Sequence, residues 1–69
     1  MDKETMLFAL KTLKELIAER DKLITTNADL FMELGIFDEH ANELAKAYNY
    51  QKTLERYADA LEKELTKNN

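Results

Sequence analysis

Phe31-Met32-Glu33-Leu34-Gly35-Ile36-Phe37-Asp38-Glu39-His40 holds the single glycine of a 69-residue chain that has no proline, and this stretch decides the fold. Glycine takes the left-handed conformation that ends a helix, and Ile36 after it is positioned to fold back on Phe31, the apolar contact of a Schellman motif. Asp38 is expected to cap a following helix, with Glu39 adding negative charge at the positive end of its dipole. Lys63 and Lys67 stand near the far end, where cations are favoured.

Working outward, the pattern predicts one domain over residues 1–69. It reads as a helix over 3–34, a turn over 35–37, a helix over 38–66 and a frayed tail over 67–69. Rods of this length span about 45 Å. A connection so short returns the second helix antiparallel to the first. The expected fold class is therefore all-α, an antiparallel helical hairpin.

Heptad letters make the packing explicit. The first helix carries Leu10, Ile17, Ile24 and Phe31 at a, and Met6, Leu13, Arg20, Asn27 and Leu34 at d. Its g column is also apolar, with Ala9, Leu16, Leu23 and Leu30. The second helix carries Phe37, Leu44, Gln51, Ala58 and Leu65 at a, and His40, Ala47, Leu54 and Leu61 at d. Tyr50 and Tyr57 fall at g, Ala41 and Tyr48 at e. Folding at Gly35 pairs Met6 with Leu65, Leu10 with Leu61, Leu13 with Ala58, Ile17 with Leu54, Arg20 with Gln51, Ile24 with Ala47 and Leu34 with Phe37. Three apolar columns are too many for a two-helix seam, so Leu16, Leu23 and Leu30 lack partners inside the hairpin. A stripe this wide suits a helix that touches two neighbours, and the expectation is a homodimeric four-helix bundle. A chain this short also needs association, because it has no cysteine for disulfides or thiolate zinc sites.

Arg20 and Gln51, in an otherwise apolar column with Glu55 one turn away as a counter-charge, read as a polar layer that fixes register. A sharper reading makes Arg20 a pocket cation for an anionic ligand or a partner carboxylate. Asn27, facing Leu44, is a second register device or a rim contact. With Leu16, Leu23 and Leu30, these three polar residues make up the expected dimer interface. Phe8 and Met32 on the outer side of the first helix, Ile36 at the turn, and Tyr48, Tyr50 and Tyr57 beside the core are the candidates for binding a further protein. For the tyrosines the plainer alternative is that they cover the edge of the hairpin's own core.

Catalysis is not expected. The chain has no serine, no thiol and no glycine-rich phosphate loop, and its carboxylates fall on solvent faces. A single histidine, His40, builds no metal cluster and reads as a half-exposed ring over Phe31. No metal or cofactor is predicted. Fourteen acidic against ten basic groups, a net charge of −4, disfavour nucleic acid. Lys11, Lys14 and Lys22, with Phe8 near their start, form a stripe that would suit RNA, but Glu15, Glu19 and Asp21 interrupt it. With no apolar run of membrane-spanning length and no signal-peptide pattern, a cytoplasmic protein is expected.

The expected architecture is similar, in length and topology, to plasmid copy-control hairpins of the Rop type, small helical-hairpin secretion chaperones and phage-encoded inhibitors. No residue motif carries the function of any of them onto this chain. The functional expectation is a small regulatory or inhibitory adaptor that binds itself and another, unidentified protein, of the kind phages and plasmids encode. An RNA-binding hairpin dimer and a structural or assembly subunit are the alternatives.

Overall fold

A computed structural model describes residues 2–67. Helix α1 runs Lys3–Leu34 and helix α2 runs Phe37–Lys67, and they pack side by side as an elongated hairpin of 51 × 16 × 14 Å. Asp2 opens α1: it is extended, and its Oδ1 accepts from the Thr5 backbone N–H at 2.7 Å. That bond satisfies one of the amides a helix start leaves without a partner.

Gly35 closes α1 with φ 72° and ψ 23°. Its N–H donates to the Met32 carbonyl at 3.2 Å, and the Ile36 N–H donates to the Phe31 carbonyl at 2.9 Å. Together these are the two bonds of a Schellman motif. Helical geometry resumes at Phe37, one residue earlier than the sequence pattern places it, so Asp38 stands inside the first turn of α2 rather than capping it. Asp38 and Glu39 still set negative charge at the positive end of the helix. At the other end Lys67 is helical rather than frayed, a cation in the last turn where the dipole favours it. The rest of the expected tail, Asn68 and Asn69, lies outside the described residues.

The contacts between the helices follow the a–d pairing. Arg20 meets Gln51, and the Phe31 and His40 rings stack with centroids 4.4 Å apart and planes 20° from parallel. The buried apolar residues are Met6, Ile24, Leu44, Leu54, Ala58 and Leu65, a single thin file along the seam. No described side chain falls below 2 % exposure, so two helices alone do not close a core. The accessible surface is 5550 Å². A folded monomer of 8.1 kDa is expected to expose about 4,500 Å². The excess, about 1,000 Å², accords with the elongated shape of a two-helix rod.

Candidate protein-binding face

The polar layer at mid-height orients everything around it. Arg20 Nε donates to Gln51 Oε1 at 2.9 Å, and Gln51 Nε2 donates to the Ile17 carbonyl at 2.5 Å. The glutamine thus spends its acceptor and its donor across the seam, one on a side chain and one on the backbone of α1. Gln51 is 4 % exposed. It lies in the interior of the hairpin, with both ends of its amide bonded to α1 of its own chain. Arg20 is half-buried, reaches the Ala47 carbonyl at 3.5 Å, and lays its guanidinium carbon 4.6 Å from the Tyr50 ring centroid. The counter-group for Arg20 is therefore an amide oxygen, a carbonyl and an aromatic face rather than Glu55, which is exposed. Among the described residues no buried side-chain polar atom is left without a partner.

The two flanks of the seam differ. Lys14 and Glu62, both at e positions, form an ion pair at 2.5 Å. In an antiparallel pair e faces e on one flank, so g faces g on the other. That second flank carries Leu16, Leu23 and Leu30 of α1, 40, 60 and 44 % exposed, together with Tyr50 and Tyr57 of α2, 53 and 59 % exposed. Three leucines and two tyrosines thus stand largely open to solvent on one side of the rod, with the Tyr50 ring also meeting the Arg20 guanidinium. The tyrosines add broad apolar rings with polar tips, which suit a partly wet contact.

The remaining sequence-predicted residues are dispersed. Asn27 is exposed. Tyr48 lies on the opposite flank, and Phe8 and Met32, the most open of the large apolar side chains, stand at outer heptad positions of α1. Ile36 is half-buried rather than exposed, because the Schellman bond to Phe31 turns it back against the end of α1. Sequence reasoning passed over Leu7, 49 % exposed, which continuing the e column of α1 would have found. Two surface depressions accompany these features. One of about 640 Å³ is lined by Asp59, Glu62, Lys63, Glu64, Thr66 and Lys67, and one of about 330 Å³ by Met32, Gly35, Phe37 and Asp38. Among the described residues no group of three or more carboxylate, histidine or cysteine side chains could hold a metal, and no helix is long and apolar enough to cross a membrane.

Comparison with protein-family models, with curated proteins and with solved structures found no significant match to this chain.

Proposed function

We propose that the chain is a non-catalytic protein-binding module, a small regulatory or inhibitory adaptor that pairs with a second copy of itself through the Leu16, Leu23 and Leu30 face to make a four-helix bundle. The single observation behind this reading is the open leucine and tyrosine flank on a hairpin whose own core is one file wide. Residues left outside the bundle, Phe8, Met32 and Tyr48 among them, then serve the second partner.

The competing reading as an RNA-binding dimer is weakened by Lys14, whose ammonium is engaged by Glu62, and by the net charge of −4. A structural subunit of a larger particle would use the same leucine flank but a different number of copies.

Sedimentation equilibrium at micromolar concentration tests the pairing: a dimer is expected, and a compact, cooperatively folded monomer overturns it. Affinity capture with and without nuclease tests the adaptor role, with a nuclease-resistant protein partner expected and a nuclease-sensitive complex counting for the RNA reading.

A further inference from the structure

The charge of this chain is concentrated at one end. Between Leu23 and Ala45 stand five carboxylates, Asp29, Glu33, Asp38, Glu39 and Glu43, and no lysine or arginine. The other nine acidic groups are outnumbered by one by the ten basic groups, all of which lie outside this stretch. Folding brings the five together, since each lies within about 12 Å of Gly35 along its helix. Helix electrostatics accounts for Asp38 and Glu39, in the first turn of α2, but not for Glu33, which sits in the last turn of α1 where a cation would be favoured and none is present. Among the described residues none of the five pairs with lysine or arginine. Only Glu43 has a partner, His40 Nδ1 at 3.3 Å.

Inside this acidic rim the chain exposes apolar side chains. Met32 is 65 % exposed, Leu34 62 % and Phe37 37 %, beside the depression of about 330 Å³ at Gly35. That hollow is shallow. It would seat one or two side chains of another protein, but it cannot enclose a small molecule as ligand sites do.

We propose that the turn end of the hairpin is a second docking surface, for a basic amphipathic segment of a partner protein that seats apolar residues on Met32, Leu34 and Phe37 and sets lysines or arginines against the five carboxylates. The occupant follows from charge complementarity. Phosphate-bearing surfaces, nucleic acid or anionic lipid, are repelled by the rim, and a second copy would bring an equally acidic turn. The carboxylates are a spread rim and not a chelating group, because no three of them converge. The proposal rests on the reading of the chain as a protein-binding module, and it names the chemistry of the partner that reading leaves open.

The test is a titration of the isotope-labelled full chain, followed by amide shifts, at low and high salt. Three synthetic helical peptides serve as probes: one with leucine on one face and lysine elsewhere, its glutamate-for-lysine counterpart, and a lysine peptide with serine replacing leucine. Only the lysine–leucine peptide is expected to bind, with shifts centred on Met32 to Glu43 and affinity that falls with salt. Two double variants, Met32→Ser with Leu34→Ser and Glu33→Gln with Glu39→Gln, are each expected to weaken it about tenfold. All four residues are exposed, so the fold and the sedimentation behaviour should be unchanged. Shifts centred on Leu16, Leu23 and Leu30, equal binding of the serine peptide, or no binding at all would overturn the proposal. Failure of self-association would be read separately by sedimentation: a monomer whose turn end still binds the peptide removes the dimer and leaves this surface standing.

Discussion

Arg20 Nε and Gln51 Oε1, 2.9 Å apart and thirty-one residues apart in sequence, form the hydrogen bond at the centre of the polar layer that ties the described parts of the two helices together. The layers on either side, Ile17 with Leu54 and Ile24 with Ala47, are apolar and could slide by a turn at little cost. This one cannot, because Gln51 also holds the Ile17 carbonyl.

A register device of this kind is expected to cost stability rather than supply it. Gln51→Leu alone strands the Arg20 guanidinium without its acceptor and should destabilise the chain by about 1–3 kcal/mol. Replacing both residues by leucine should leave the thermal midpoint unchanged or raise it, while allowing other oligomers that sedimentation would reveal. Equal losses in the single and double variants would show that the pair is not a register device. Loss of partner binding with the fold intact would instead make Arg20 part of a binding site.

The file of buried apolar residues is narrow enough that one cavity should matter. Leu54 is 5 % exposed, and Leu54→Ala should cost about 2–5 kcal/mol in chemical denaturation. For a hairpin this small that approaches the whole of its stability. Met32→Ala, at a side chain 65 % exposed, should change the midpoint hardly at all. Similar losses at the two positions would mean that Met32 is covered in solution.

Gly35 was the most legible residue of the chain, since a lone glycine between two periodic stretches has one common use. The a–d register followed from it, and both Arg20 with Gln51 and Phe31 with His40 fall where that register puts them. Heptad letters give angular position and say nothing of reach. Arg20, on a long stem, passes over Tyr50 instead of seeking Glu55, and no column assignment contains that choice. The same limit applies at the turn. Whether Phe37 or Asp38 begins α2 depends on how tightly the Schellman bonds close, and Ile36 is half-buried for that reason rather than for its hydropathy. Of the candidate face, the leucine column was visible as an unpartnered stripe. That Tyr50 and Tyr57 share its flank while Tyr48 does not follows from their g and e letters in an antiparallel pair, and the Lys14–Glu62 ion pair on the e flank agrees with it.

At Gly35 a Cβ would find open space, with nothing within 4 Å, so any penalty for substitution comes from the backbone at φ 72°. Gly35→Ala should therefore cost about 1–2 kcal/mol, with Gly35→Asn milder because asparagine tolerates the left-handed region. A loss much larger than this at alanine would point to a contact made by another chain at the turn.

The amino-terminal cap should respond to acid. Hydrogen bonding to Thr5, through its side chain and its backbone amide, lowers the Asp2 carboxyl from its ordinary value of 3.8. A depressed carboxyl contributes stability that is present above the ordinary value and is lost as the pH falls through the lowered one. Hydrogen-exchange protection of the Thr5 amide should accordingly hold at neutral pH and drop away only below about 3.8. Asp2→Asn, which keeps a capping oxygen, should remove the pH dependence and keep the protection. A Thr5 amide equally protected in Asp2→Ala would show that the cap is not made in solution.

Leu23→Asp separates the hairpin from the assembly proposed for it. Leu23 is 60 % exposed in the single hairpin, so a carboxylate there stays in water and should leave an isolated, folded monomer nearly as stable as before. In a four-helix bundle the same position lies in the seam between copies, where an unpaired charge is strongly disfavoured. The expected result is dissociation at concentrations where the parent chain is dimeric, with loss of helix if the monomer cannot stand alone. Tyr48→Asp, on the flank marked by Lys14 and Glu62, is the matched control at similar exposure and should leave the dimer unchanged. Should Leu23→Asp sediment as the parent does, the leucine flank is not the dimer seam. Should Tyr48→Asp dissociate the chain while Leu23→Asp does not, the two flanks have exchanged roles.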